Sequence, residues 1–276
     1  MKIIGDDLLQ ALMDDMALTA QTEILPRFNA IAADAVRTKT SPDDLVTDAD
    51  IGAERLLGTL LADRLGDLAI VGEEAVSNDA AILSRLADAD LVAIIDPVDG
   101  TWNFAHGVPL FGSILAIVAG GETIAGLIHY PVTGDFLVAR PGRGAWQVTA
   151  AGVMTRLSVA PPSPIGAMHG FVPLQMFPAD MQTRLGPRLP RFLRTTSWNC
   201  SAFEYRMLAT GAMSFCLNAS LMPWDHAAGA LIHKEAGGYS ALLTGQAYGP
   251  TMRQGQLLLA PDQPSWQAVR AALMDD

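Results

Sequence analysis

The run Ile95-Asp96-Pro97-Val98-Asp99-Gly100-Thr101 constrains this chain more than any other segment. The residues before it, Leu91 to Ile95, are apolar and rich in β-branched side chains, which predicts a buried strand. Pro97 should stop that strand, because it fixes its own φ and lacks an N–H, and it biases Asp96 toward an extended conformation. Gly100 permits a sharp reversal of the backbone. Asp96 and Asp99 can then converge on one point, with the Val98 carbonyl aimed the same way and the Thr101 hydroxyl close by. Hard cations such as Mg²⁺ take oxygen ligands of this kind, with waters or substrate phosphate completing the shell. Asp, Pro and Gly are also ordinary turn residues, so the run taken alone fits a plain strand-end turn as well.

Three further segments extend the pattern. Gly72-Glu73-Glu74 follows the apolar run Leu68-Ala69-Ile70-Val71 and again sets carboxylates at a strand end. Trp224-Asp225 is followed, after eleven residues, by Gly237-Gly238, with Asp225 at the start of an apolar, alanine-rich helical stretch. Lys39 to Asp50 reads as a polar loop leading into a helix. A Glu-Glu pair, then Asp-Pro-x-Asp-Gly-Thr, then Trp-Asp with Gly-Gly at this distance resembles the signature of the inositol monophosphatase family, within the wider group that includes fructose bisphosphatases and bisphosphate nucleotidases. The resemblance runs from about residue 5 to the last strand near residue 260. The five fixed residues of the central motif alone would arise by chance in roughly one chain in ten thousand.

Composition bears on partners and location. The chain has 276 residues, half of them hydrophobic and 17% charged, with a mean hydropathy of +0.26. That length can bury a large core. The most apolar run, Val108 to Ala119, holds a Pro, a Gly and a Ser and is too short to span a bilayer. The start, Met-Lys-Ile-Ile-Gly-Asp-Asp, has acids where a signal peptide needs an apolar stretch, so a cytoplasmic protein is expected. The surplus apolar surface suggests an oligomer interface. Family members are commonly homodimers, and the segment Ser113 to Tyr130 is the expected contact. A net charge of −11 argues against a nucleic-acid partner. It conflicts with phosphate binding unless bound cations present the positive charge. Cys200 and Cys216 read as small apolar core residues.

Along the chain, apolar periodicity predicts a helix over 6–35, kinked or shifted at Pro26, and a second helix from Asp48 marked by Ile51, Leu56, Leu57, Leu60, Leu61 and Leu65. A strand at 68–71, a helix at 79–88 and a strand at 91–95 follow. Strands at Ser113–Ala119, Thr123–Tyr130, Asp135–Ala139 and Ala145–Val148, separated by Gly- and Pro-rich turns, suggest an antiparallel sheet. The Pro-rich run Ala160 to Pro164 is the boundary candidate. It divides an N-terminal α+β half, 1–160, carrying most metal ligands, from a C-terminal α/β half, 161–276, carrying Asp225 and the substrate pocket. The fold class is mixed α/β; the resemblance implies a layered αβαβα sugar-phosphatase-like arrangement with the site in the cleft between the halves.

Several acidic ligands without a Gly-x-Ser-x-Gly elbow or a Cys-x₅-Arg loop favour direct attack by water activated by metal over a covalent phosphoenzyme. The resemblance assigns the roles. Glu73, Asp96 and the Val98 carbonyl would bind a first Mg²⁺, and Asp96, Asp99 and Asp225 a second. Glu73 would hold a third through waters. Glu73 and Thr101 would flank the attacking water, which Thr101 orients while passing its own proton to a carboxylate. The N–H groups of Gly100 and Thr101 would hold phosphate oxygens, and Asp50 would orient ligands and waters. Glu74 reads as a supporting residue. Asp225 and Thr101 also fit helix-capping roles, and His106, His226 and His233 read as structural or surface groups. Lys39 lies in a stretch resembling the family's mobile active-site loop, and Gly237-Gly238 should end a helix and let the next strand pack closely.

The substrate-reading residues depart from the family. Asn199-Cys200-Ser201 stands where inositol phosphatases carry a Gly-Thr-Ala-like stretch, and Asn218 stands where they carry a carboxylate that binds inositol hydroxyls. Asn199, Ser201, Asn218 and Asp225 are the expected substrate contacts, together with Gly100 and Thr101. A small phosphomonoester is therefore expected, inositol 1-phosphate by default, with histidinol phosphate or another sugar phosphate as the alternative. A non-catalytic regulatory or binding protein on this fold and a purely structural cation site are the readings from other classes. The intact ligand set argues against the first, and Thr101 with the Glu pair against the second.

Overall fold

The computed structural model describes residues 4–28, 36–38 and 45–275. Helix α1 (Asp6–Thr19) buries Leu9, Leu12, Met13 and Met16, then opens into a wider turn over Ala20–Ile24, where the Leu25 N–H reaches back to the Ala20 carbonyl. The helical path therefore ends just before Pro26. Strands β1 (Val36–Thr38) and β2 (Leu45–Thr47) form an antiparallel pair that delivers the chain to α2 (Asp48–Leu65). Thr47 caps α2, its hydroxyl accepting the Ala49 N–H while the Asp50 carboxylate accepts the Thr47 N–H.

Next come β3 (Ala69–Gly72), α3 (Glu73–Asn78), α4 (Arg85–Asp88) and β4 (Leu91–Asp99). The stretch predicted as one helix over 79–88 is a tighter 3₁₀ turn, Ala80–Ser84, followed by the single α-turn of α4. Strand β4 pairs parallel to β3, as the helical crossover between them requires. Helix α5 (Thr101–Ala105) leads to an antiparallel meander of β5 (Gly112–Ala119), β6 (Glu122–Tyr130), β7 (Asp135–Ala139), β8 (Ala145–Val148) and β9 (Met154–Arg156). These strands lie side by side in chain order, β3 to β9. After residue 160 a second sheet forms from β10 (His169–Phe171), β11 (Arg194–Thr196), β12 (Phe215–Asn218), β13 (Tyr239–Leu242) and β14 (Leu257–Ala260), in the order β11-β10-β12-β14-β13. Helices α6 (Ala179–Leu185), α7 (Ser201–Ala209), α8 (Pro223–Glu235) and α9 (Gln263–Met274) complete it.

Strand alternation sets the layers. Along β4, Leu91, Ala93 and Ile95 face α1 and α2, joining Leu12, Met16, Leu57 and Leu61 in one core. Val92 and Ile94 point the other way, onto Tyr205, Leu208, Ala228 and Leu231 of α7 and α8. Across α7 and α8 the second sheet supplies Phe171, Cys216, Leu257 and Leu259, and its far face, with Phe215, Leu217 and Leu258, packs on Trp266 and Val269 of α9. The order is αβαβα, as the resemblance implied.

Two expectations need correction. Pro97 does not stop its strand: β4 runs through to Asp99, with an irregular register between Asp96 and Asp99. A bulge needs no ladder N–H from the proline, and the Pro97 carbonyl is satisfied by the Ser113 hydroxyl at 2.7 Å. The segment Ser113 to Tyr130 cannot serve as an apolar contact for a second copy. Ile114, Leu115, Ala116, Ile117 and Leu127 are all covered by the chain's own helices on both faces. No helix among the described residues is long and apolar enough to cross a membrane.

Candidate active site

The irregular end of β4 and the first turn of α8 bring three carboxylates together. Asp96, Asp99 and Asp225 each present an oxygen within 4.8 Å of the other two. Asp225 is the third residue of α8, after Pro223 at its start, and does not cap the helix. Asp96 is 2% exposed, and its Oδ1 has no hydrogen-bond partner among the described residues. Asp99 Oδ1 accepts the Ser201 N–H at 3.1 Å, and its Oδ2 accepts the Ala202 N–H at 2.6 Å and the Cys200 thiol at 3.0 Å. Asp99 thereby ties the bulge of the first sheet to the start of α7.

Burial, then repulsion from Glu73, Asp99 and Asp225, pushes the Asp96 carboxyl well above its ordinary range. Burial likewise raises Asp225, with Asp99 and Glu73 adding to it. Asp99 is pushed up to about 6 by burial, against its three donors, which lower it. Three carboxylates this close, two of them buried and one with an unpartnered oxygen at Asp96 Oδ1, are a donor set that fits a hard divalent cation.

Gly100 reverses the chain at φ +86°, a region closed to most L-residues, and α5 begins at Thr101. The Thr101 hydroxyl lies 2.9 Å from the Val98 carbonyl oxygen and 3.3 Å from Asp50 Oδ1. Asp50 is buried, and its Oδ2 accepts the Thr47 N–H and hydroxyl. Glu73 opens α3, directly after Gly72, which pairs with Ile95. Its charge reaches Asp96, Asp99 and Asp225, but its carboxylate does not join their 4.8 Å group. Glu74 is buried beside it. Lys39 lies outside the described residues.

The expected substrate residues are less uniformly arranged. Asn199 is exposed, holds φ +51°, and its Oδ1 accepts the Ser197 hydroxyl at 2.9 Å. The Ser201 N–H is taken by Asp99. Asn218, at the end of β12, is 7% exposed; its Oδ1 accepts the Cys216 thiol at 3.3 Å, and its Nδ2 is buried with no partner among the described residues. Glu204 on α7 is buried, accepts the Trp198 N–H at 3.2 Å, and is raised by burial to about 7. Sequence reasoning missed Glu204. A carboxylate on the apolar face of a short helix was the available signal.

His226 is buried, with Nε2 donating to the Ser220 carbonyl and Nδ1 accepting from the Tyr205 hydroxyl, so it is a structural group. Burial lowers His226 and His233 to about 4, so both are neutral near pH 7. His106 is exposed and stacks on Trp102. Gly237 follows α8, and Gly238 lies against the His233 ring. Cys200 and Arg206 do stand at Cys-x₅-Arg spacing, which the sequence reading passes over. The segment is helix rather than phosphate loop, burial raises the Cys200 thiol well above its ordinary value, and Arg206 is paired with Asp135 at 2.7 Å. That pair offers no thiolate nucleophile.

A family model described as the inositol monophosphatase family matches residues 6–276. A histidinol-phosphatase of Mycobacterium tuberculosis is 34% identical over 250 residues, 88% of this chain and 89% of its own length. A fructose-1,6-bisphosphatase/inositol-1-monophosphatase of Thermotoga maritima is 31% identical over 205 residues, 74% of each. The solved IMPase of Thermotoga maritima superimposes with a TM-score of 0.78 at 24% identity, covering 96% of this chain and 98% of that one, a likeness of fold.

Proposed function

This chain belongs to the inositol monophosphatase family and is a phosphoric monoester hydrolase, and we propose that it hydrolyses a small polyol phosphate, inositol 1-phosphate first among the candidates, with Mg²⁺ as its cofactor. The observation that carries this reading is the convergence of Asp96, Asp99 and Asp225 with an unpartnered Asp96 oxygen, beside a threonine hydroxyl in line with a fixed carboxylate. Asp96, Asp99 and Asp225, with Glu73 and the Val98 carbonyl, would hold two to three ions. Bound Mg²⁺ supplies charge neutralisation of the phosphate and the leaving oxygen, and an acidified water.

The chain's own groups do the positioning. Thr101 accepts a hydrogen bond from the attacking water and shifts its hydroxyl proton toward Asp50 Oδ1, which is held in place because Oδ2 is taken by Thr47. Glu73 flanks that water. The Gly100 and Thr101 N–H groups lie at the reversal where phosphate oxygens would rest. Asn218, with a buried unpaired N–H₂, is the group for a substrate hydroxyl, and Asn199 and Ser201 are the further substrate contacts that the family resemblance implies. A homodimer fits the apolar composition, through a surface other than Ser113 to Tyr130.

Histidinol phosphate is the second reading. It is favoured by the neutral Asn218, by the buried Glu204 carboxylate linked to Asn218 through Cys216, and by the 34% identity to a histidinol-phosphatase. The test is phosphate release from a panel of small phosphomonoesters, with Mg²⁺ and with a chelator. Mg²⁺-dependent release is expected. Equal release in excess EDTA overturns the mechanism, and a preference for histidinol phosphate selects the second reading.

A further inference from the structure

Glu54 stands on α2, one turn after Asp50, and has no role in the site described so far. Its carboxylate reaches across to another helix. Oε2 accepts the Glu74 N–H at 2.8 Å, and Oε1 accepts the Ala75 N–H at 2.9 Å. These are two of the N–H groups that a helix leaves open at its first turn. The residue that should cap α3 is Gly72, which has no side chain for the purpose. Glu54 fills that space: a Cβ added at Gly72 would lie 2.2 Å from the Glu54 carboxyl carbon. A six-residue helix does not hold itself by its own cooperativity, so what holds its first turn sets where its first side chains point.

The first residue of α3 is Glu73. Its backbone follows Gly72, which pairs with Ile95, the residue before Asp96. We infer that Glu54 is a positioning residue for the metal site, holding Glu73 in register with Asp96 by clamping the first turn of α3 from the helix that carries Asp50. The inference rests on reading Glu73 as a metal-binding residue. It explains why the residue before the Glu pair is a glycine: any side chain at 72 has to displace the Glu54 carboxylate.

The test uses the full-length protein stripped of metal. Mg²⁺ is titrated into wild type, Glu54→Gln and Gly72→Ala by calorimetry. The thermal midpoint in EDTA and kcat at saturating Mg²⁺ are measured alongside. Both variants should weaken Mg²⁺ binding by roughly 10- to 100-fold, the range found when a group that orients a ligand is removed, while kcat at saturating Mg²⁺ stays within severalfold of wild type. Gly72→Ala keeps Glu54 but pushes its carboxylate aside, so either variant alone can carry the result. A lowered thermal midpoint with an unchanged Mg²⁺ constant in a folded variant overturns the inference and leaves Glu54 a plain helix cap. Failure of wild type to take up millimolar Mg²⁺ overturns the metal reading itself, and the inference with it.

Discussion

The Thr101 hydroxyl oxygen lies 3.3 Å from Asp50 Oδ1 and 2.9 Å from the Val98 carbonyl oxygen, although Asp50 is 51 residues away at the start of α2. A hydroxyl has one proton and two lone pairs, so it can donate to either acceptor and still accept from a water. Asp50 cannot turn away, because Thr47 donates both its N–H and its hydroxyl to the other carboxylate oxygen. The cap that starts α2 thus also fixes the carboxylate beside Thr101.

Thr101→Ala removes the relay without touching a carboxylate ligand. We expect kcat to fall by roughly 10²- to 10⁴-fold, the usual worth of positioned proton transfer, with Mg²⁺ affinity by calorimetry unchanged. Thr101→Ser should restore most of the rate. Wild-type turnover in Thr101→Ala would remove Thr101 from the mechanism.

Asp96→Asn should separate stability from function. Burial and four like-charged neighbours, Glu73, Asp99, Asp225 and Asp50, raise the Asp96 carboxyl in the folded chain, so its ionised form costs folding energy above the unfolded-state value of 3.8. That penalty grows as pH rises from 3.8 toward neutrality. Replacing the carboxylate by an amide removes it. In EDTA at pH 7.5 the variant should melt above wild type. Mg²⁺ at about 100 times Kd should then stabilise wild type by about 2.7 kcal/mol and leave the inactive variant unmoved. Equal stabilisation of both proteins by Mg²⁺ would show that Asp96 is not a ligand.

His129→Leu tests a buried base on β6, opposite Ser113 and outside the carboxylate cluster. His129 is 3% exposed, stacked on Phe136 with ring centroids 4.2 Å apart, and its Nδ1 is unpartnered among the described residues. Burial lowers its pKa to about 4 from 6.5. A depressed pKa stabilises the fold above 6.5, and that contribution is lost as pH falls from 6.5 through 4. Leucine has nothing to titrate and relieves an unpaired polar atom. The stability of the variant relative to wild type should rise by up to about 3 kcal/mol between pH 7.5 and about pH 4, read by urea melts at both values. A constant difference across that range would show that His129 does not carry the acid sensitivity.

Much of this was legible in the chain itself because the candidate ligands sit in short contiguous motifs. Asp96, Asp99 and Thr101 are fixed relative to one another by a single strand end, so their spacing encodes their geometry. The antiparallel strands were equally readable, since Gly- and Pro-rich turns punctuate them. Pro97 was misread because a proline that halts a regular strand is tolerated in a bulge, and the bulge exists only once β5 supplies the Ser113 hydroxyl. Glu54 escaped because its partners, the Glu74 and Ala75 N–H groups, lie 20 and 21 residues further on, and no local pattern marks such a pair. Glu204, whose partner Trp198 is only six residues away, showed itself only as a carboxylate on the apolar face of a short helix. The apolar stretch 113–130 looked like surplus surface because alternation cannot tell a sheet covered by its own helices from one awaiting a second copy.

The last prediction concerns specificity. The resemblance puts Asn218 at the position of a carboxylate that would bind inositol hydroxyls, and its Nδ2 is buried without a partner among the described residues. A hydrogen bond to a charged group is worth about 1.5–3 kcal/mol against about 0.5–1.5 for a neutral one, so the amide forgoes about 1–1.5 kcal/mol, or roughly five- to tenfold in affinity. Inositol 1-phosphate should therefore be hydrolysed but poorly discriminated from other small polyol phosphates. Asn218→Glu should raise kcat/KM for inositol 1-phosphate relative to glycerol 2-phosphate. The neighbourhood adds a pH condition. The Cys216 thiol lies 3.3 Å from Asn218 Oδ1 and 3.7 Å from Glu204 Oε2, so the new carboxylate would face Glu204, itself raised to about 7. Two buried carboxyls that close resist double ionisation, so the gain should grow as pH rises from 7 to 9. Both substrates are compared on wild type and variant across that range. A wild type that already prefers inositol 1-phosphate several hundredfold would mean that other residues read the inositol ring, and Asn218 would lose its place as the specificity determinant.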